Sequence, residues 1–174
     1  MLRKGLLLVH TGKGKGKTTA ALGLAMRALG QNLRVCIVQF IKGTWKYGEL
    51  ESFKRFDDLA EFHVFGKGFT WKSENLDEDI RVAREAWTFA EAKLRDPQYA
   101  MVILDELTYL VKYGMVPEER ILAGLAARPE TMHAVVTGRD ASPGLVEAAD
   151  LVTEMHEVKH PFHNGVKAQR GIEF

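Results

Sequence analysis

The residues best suited to chemistry are Val9-His10-Thr11-Gly12-Lys13-Gly14-Lys15-Gly16-Lys17-Thr18-Thr19, where an apolar run gives way to alternating glycine and lysine and then to helix formers. Glycines let the backbone curl until consecutive N–H groups point at one anion, and a following helix offers that anion its positive end. Lys17 adds a point charge and Thr18 a hydroxyl able to ligate magnesium. The strict Walker spacing would put a glycine at position 11, where Thr11 stands; Gly12 is only four residues before Gly16, so the loop is one residue short. That shortage implies a triphosphate held differently from the one in ordinary phosphate-loop hydrolases.

A second constellation is Ala100-Met101-Val102-Ile103-Leu104-Asp105-Glu106, an apolar strand ending in two carboxylates. Beside a phosphate loop this is a Walker B pattern, since a magnesium ion on a triphosphate needs oxygen ligands opposite the threonine. Arg139 in Gly138-Arg139-Asp140 puts a cation at another strand end, where it can clamp a phosphate. Phe69 and Trp71, two apart in Gly68-Phe69-Thr70-Trp71, share a face that either packs internally or meets a flat ligand or partner. Cys36 lies in an apolar run, no Gly-x-Ser-x-Gly elbow occurs, and no catalytic base stands out. A site of this kind is expected to activate ATP toward a nucleophile that the other substrate brings. His156, His160 and His163 match no zinc spacing, and Pro161 interrupts any shared helical face.

These loops need a frame. A chain of 174 residues, 46% hydrophobic and 27% charged, suits one domain spanning 1–174 that buries roughly 70% of its unfolded surface. A net charge of +1 creates no polyanion field, so nucleic acid is not the expected partner. One cysteine allows no internal disulfide; the apolar start is too short for a signal peptide, and no stretch approaches a membrane span, so a cytoplasmic protein is expected. Strands are predicted over 6–9, 33–40, 61–65, 100–106, 132–137 and 151–155, with helices from Lys17 to Gly30 and over 49–56, 75–94, 117–127 and 143–149. Trp87 falls on the apolar stripe of the long helix and is expected in the core. Alternating strands and helices imply an α/β domain with a mainly parallel sheet of five or six strands and helices on both faces. The loops at 12–19, 39–48, 66–71, 105–106 and 138–139 then gather along one edge.

Six blocks carry a resemblance: residues 11–19, Val38-Gln39-Phe40-Ile41-Lys42-Gly43, Gly68-Phe69-Thr70-Trp71, Leu104-Asp105-Glu106-Leu107, Thr137-Gly138-Arg139, and Val158-Lys159-His160 with Gly165-Val166-Lys167-Ala168-Gln169. In this order, over nearly the whole chain, they resemble the P-loop type ATP:corrinoid adenosyltransferases of vitamin B12 biosynthesis and salvage. The resemblance implies a P-loop NTPase (RecA-like) fold and attack of a Co(I) corrinoid on the 5′-carbon of ATP, with triphosphate expelled. In that family ATP lies reversed in the shortened loop.

Carried over by position, Thr11, Gly12, Lys13, Gly14, Lys15, Gly16, Lys17, Thr18 and Thr19 would hold ATP, with Lys17 as the main cation of catalysis. Arg27 and Arg139 would be further nucleotide contacts. Thr18, Asp105 and Glu106 would bind Mg2+ or Mn2+. Phe69 and Trp71 would lie against the corrinoid, displacing its lower ligand so that Co(II) is easier to reduce. A flavin-based electron donor and a homodimer are also implied. Family members often carry a longer N-terminal segment over the site, so closure here is expected from the loop at 44–48, the tail or a second subunit. An ATPase or small-molecule kinase, and a nucleotide-dependent binding module, are the alternative readings.

Overall fold

The computed structural model describes residues 4–41, 47–66 and 76–173. In chain order the elements are β1 (Leu7–Thr11), α1 (Lys17–Leu29), β2 (Val35–Gln39), α2 (Gly48–Phe53), β3 (Ala60–Val64), α3 (Leu76–Arg95), β4 (Met101–Asp105), α4 (Thr108–Lys112), α5 (Glu118–Ala126), β5 (His133–Thr137), α6 (Pro143–Ala148) and β6 (Leu151–Glu154). A 3-10 turn extends α2 over Lys54–Phe56, and another interrupts the tail over Pro161–Asn164.

The six strands form one parallel sheet in the order β3-β2-β4-β5-β1-β6. Both faces of the central strands are covered, which is why they read as unbroken apolar runs. Alternate residues serve two cores. Leu7, Val9, Cys36, Val38, Val102, Leu104, Ala134 and Val136 face the layer of α3, α5 and α6, whose largest contribution is the fully buried Trp87. Val35, Ile37, Met101, Ile103 and Val135 face α1 and α2, meeting Ala21, Ala25, Leu29 and Phe53. The small alanines let α1 lie close over the sheet. Cys36 is fully buried, and that burial pushes its thiol up to about 12, so it is an inert apolar filler.

The expected helices and strands are present within a few residues of their predicted bounds. Two pieces were not anticipated: α4, directly after the acidic strand end, and the tail's 3-10 turn. The sixth strand, β6, is exposed along its whole length because it lies at the sheet's edge.

Candidate active site

The sheet's α1-facing side changes character at its C-terminal end. Beyond Ile37, Ile103 and Val135, the next residues on that face are Gln39, Asp105 and Thr137, and β1 contributes His10 beside Thr137. All four are buried. Asp105, 1% exposed, accepts hydrogen bonds from Gln39 Nε2 at 3.0 Å, Thr137 Oγ1 at 2.7 Å and Thr18 Oγ1 at 2.8 Å. These donors offset the cost of burying the carboxylate and aim it at the first turn of α1. Thr137 Oγ1 also accepts from the Glu106 backbone N–H at 3.0 Å. Glu106 itself sits at φ 64, a left-handed conformation uncommon for a residue with a Cβ, which turns the chain sharply after the strand. Burial lowers the pKa of His10 and so favours its neutral form, and its ring nitrogens have no hydrogen-bond partner among the described residues.

Above this row lies the short loop. Gly16 takes the left-handed conformation at φ 103 and starts α1 with no side-chain cap and no acidic residue in the first turn. The helix's first N–H groups and its positive end are thus left for an anion. Lys17, 8% exposed, reaches back over the loop and donates to the carbonyls of Gly12 at 2.8 Å and Gly14 at 2.6 Å. Burial lowers its pKa, opposed by the charges of Glu106 and Asp105, and Arg139 lowers it further. A triphosphate arriving here would replace loop carbonyls as the partner of this ammonium and strengthen its charged form.

Around the loop, the remaining predicted site residues divide into three groups. Thr11, Gly12, Lys13 and Arg139 line one cavity of about 850 Å3 together with Asp140, Glu154 and His156. Within it the Thr11 hydroxyl accepts from the Ala141 N–H at 3.1 Å, and so secures the turn that carries Arg139. That turn is held from below as well, because Thr108 Oγ1 donates to the Arg139 carbonyl at 2.7 Å and a Cβ on Gly138 would lie 2.0 Å from that hydroxyl. Thr18 and Thr19 lie in α1's first turn, Thr18 bonded to Asp105 and Thr19 exposed. Lys15 turns outward to Glu173, 2.7 Å away.

Arg27 is not brought together with this group. Helix α1 carries it in its last turn, about 15 Å along the axis from Lys17 at 1.5 Å per residue. There it borders a separate cavity of about 300 Å3 with Leu6, Leu24 and Met101 at the opposite end of the strands. Phe69 and Trp71, and residues 44–46 of the loop expected to help close the site, lie outside the described residues.

Gln39 and Thr137 were not singled out in the sequence as partners of the acidic pair. Their signal was a polar residue closing each of two apolar strands. In the tail, His156 faces Glu154 at 3.8 Å and His163 faces Glu157 at 2.7 Å. A different trio, Cys36, Glu61 and His63, brings ligand atoms within 4.8 Å of one another. Its Glu61 is already bonded to Lys93, Tyr99 and His63. Burial would raise this carboxyl, but the three hydrogen bonds outweigh it and hold it at about 2, marking a structural ion network.

Comparison with known proteins agrees with the geometry. The flagellar accessory protein FlaH from Methanocaldococcus jannaschii shares the fold with a TM-score of 0.60 at 13% identity, over 88% of this chain and 72% of that one. A corrinoid adenosyltransferase of Pseudomonas aeruginosa is 50% identical over 98% of this chain and 84% of its own length. Its Escherichia coli K12 counterpart is 45% identical over 98% and 86%. Residues 3–174 match the family described as ATP:corrinoid adenosyltransferase BtuR/CobO/CobP, and the chain belongs to that family.

Proposed function

We propose that this chain, acting as one unit over 1–174, transfers the 5′-deoxyadenosyl group of ATP to the Co(I) centre of a corrinoid such as cobalamin, cobinamide or cobyrinic acid a,c-diamide. The observation that supports this most directly is the pairing of a shortened phosphate loop, with Lys17 inside it, and a buried carboxylate aimed at Thr18. Together they are equipped to stabilise a leaving triphosphate, while no side chain in the cluster is placed as a nucleophile toward carbon.

The reaction balances without one. The reduced cobalt supplies the electron pair for the new cobalt–carbon bond, and the 5′ carbon–oxygen bond breaks with its pair going to triphosphate. The protein's task is to orient the ribose carbon, neutralise the leaving group and exclude water. Lys17, the uncapped start of α1 and Arg139 supply the positive field. Thr18, Asp105 and Glu106 offer oxygen ligands alone, a set that fits a hard divalent cation, Mg2+ or Mn2+. Such an ion would add charge neutralisation on the triphosphate. Gln39 and Thr137 keep Asp105 pointed at it. Phe69 and Trp71 are assigned to the corrinoid from the family resemblance, and with them a flavin-based electron donor, a homodimer and a cytoplasmic location. Among the described residues, no helix is long and apolar enough to cross a membrane.

The test is product analysis with ATP, magnesium and chemically reduced cob(I)alamin, in the dark without oxygen. Light-sensitive adenosylcobalamin with stoichiometric triphosphate is expected. Unchanged cobalamin with ADP and phosphate would replace the proposal with an ATPase or kinase, and binding of both substrates without turnover would replace it with a binding module.

A further inference from the structure

The chain that leaves β6 returns to the phosphate loop at both of its ends. At its start, Met155 donates its N–H to the Thr11 carbonyl at 2.8 Å and accepts from the Gly14 N–H at 2.7 Å. The approach is close: a Cβ on Gly12 would lie 2.5 Å from the Met155 carbonyl oxygen, and one on Gly14 would lie 2.8 Å from the His156 carbonyl carbon. The arm then runs outward through the turn at Pro161–Asn164, where it is largely exposed. At its end Glu173, whose side chain is 20% exposed, pairs with Lys15 at 2.7 Å. Lys15 is thus spoken for from outside the loop, whereas Lys17 lies inside it on the carbonyls of Gly12 and Gly14.

We propose that Glu173 is a positioning residue for triphosphate binding, acting through Lys15: the pair fastens the C-terminal arm to the outer side of the phosphate loop and fixes the loop's curvature, and Lys15 is not itself a phosphate ligand. This rests on reading the loop as the triphosphate site. It also gives this loop's glycine-lysine alternation a division of labour, with Lys17 serving the anion, Lys15 the arm, and Gly12 and Gly14 small enough to admit the chain at Met155.

The test measures binding of inorganic triphosphate with magnesium to the full chain by calorimetry. Wild-type protein must bind it; no binding would overturn the loop reading and this inference with it. Glu173→Gln is expected to weaken binding about threefold, and Glu173→Lys or Lys15→Glu about tenfold, the scale of losing or reversing a partly exposed ion pair. The exchanged double variant Lys15→Glu/Glu173→Lys should recover to within about threefold of wild type, since the pair is restored in reverse. Were Lys15 a phosphate ligand with Glu173 as its competitor, Glu173→Gln would bind triphosphate more tightly and the exchanged variant would stay as weak as Lys15→Glu. Either result overturns the proposal. Amide exchange across 160–173 should quicken in Glu173→Gln and return to the wild-type rate in the exchanged variant; unchanged exchange in Glu173→Gln would also refute the fastening.

Discussion

Replacing Thr137 by valine isolates the link between the sheet and the acidic pair. The side chain is fully buried and has two roles, donating to Asp105 Oδ1 at 2.7 Å and accepting from the Glu106 N–H at 3.0 Å. Valine keeps the shape and removes both. A hydrogen bond to a charged acceptor contributes about 1.5–3 kcal/mol, and leaving the Glu106 N–H without its acceptor costs about 1 kcal/mol more. The added methyl group returns about 0.8 kcal/mol. The net loss is about 2–3 kcal/mol, which for a chain of this size lowers the melting temperature by about 4–12 °C. The second effect is on the cation. Asp105 keeps Gln39 and Thr18 as partners but loses the group that fixes its rotation. Disturbing such a supporting partner weakens metal affinity about tenfold.

The assay is adenosylcobalamin formation at saturating ATP over a magnesium titration, with melting curves on the same samples. Thr137→Val should need about ten times more magnesium for half-maximal rate, while Thr137→Ser, which keeps the hydroxyl, should need the wild-type amount. A melting temperature that falls as expected with an unchanged magnesium requirement would refute the assignment of Asp105 to the cation. An unchanged melting temperature would refute the hydrogen-bond network itself.

Lys17→Met should lower the adenosylation rate by about a thousandfold, the scale of losing a charged group at a developing anion, and added salt should not restore it. Gly14→Ala places a Cβ 2.8 Å from the backbone at Met155 and His156, so it should destabilise by about 1–3 kcal/mol and expose the arm to proteolysis. Gly23→Ala on the exposed side of α1 meets nothing within 4 Å and should stabilise by about 0.5–1 kcal/mol in urea unfolding. Stability should also fall in acid through Glu61. Its folded carboxyl sits near 2, below the unfolded 4.5, so its contribution is full above 4.5 and is lost as pH drops toward 2. With the side chain 30% exposed, screening reduces that contribution to about 1–2 kcal/mol, and Glu61→Gln should flatten the pH profile of unfolding across this window. Trp71→Ala should impair turnover of a Co(II) corrinoid more than of a chemically pre-reduced one; equal losses in the two assays would count against a role in lower-ligand displacement.

Legibility followed locality. Helix α1 was readable to its last residue because Gly30 stops a run of good helix formers, and β2 and β4 because valine and isoleucine fill both of their faces. Helix α4 was not, because it is only five residues long, three of them (Thr, Tyr and Val) favour extended backbone, and it carries no side-chain cap. It forms through tertiary contacts, with Leu110 in the core and Thr108 against Gly138. The site divides the same way. Gly12 to Thr18 and Asp105-Glu106 announce themselves by composition. That Gln39 and Thr137 flank Asp105 depends on β4 lying between β2 and β5, a strand order that periodicity does not encode. Arg27, carried over from the family resemblance, shows the converse: it is near the loop in sequence, but the rise of α1 carries it to the other end of the sheet.

The missing residue of the loop and the arm behind it have one physical consequence. The Gly14 N–H, which a longer loop could present to an anion, is instead bonded to the Met155 carbonyl, and β6 lies beside β1 so that this carbonyl arrives at the correct place. The cradle therefore offers fewer backbone donors than a full-length loop would. What remains is Lys17 inside the loop, the first N–H groups of the uncapped α1 and Arg139 at the cavity rim. A loop of this kind is suited to a nucleotide whose triphosphate is the leaving group as a whole. The bond to be broken then lies at the ribose end of the phosphates, and the protein needs to neutralise all three without gripping the terminal one for attack.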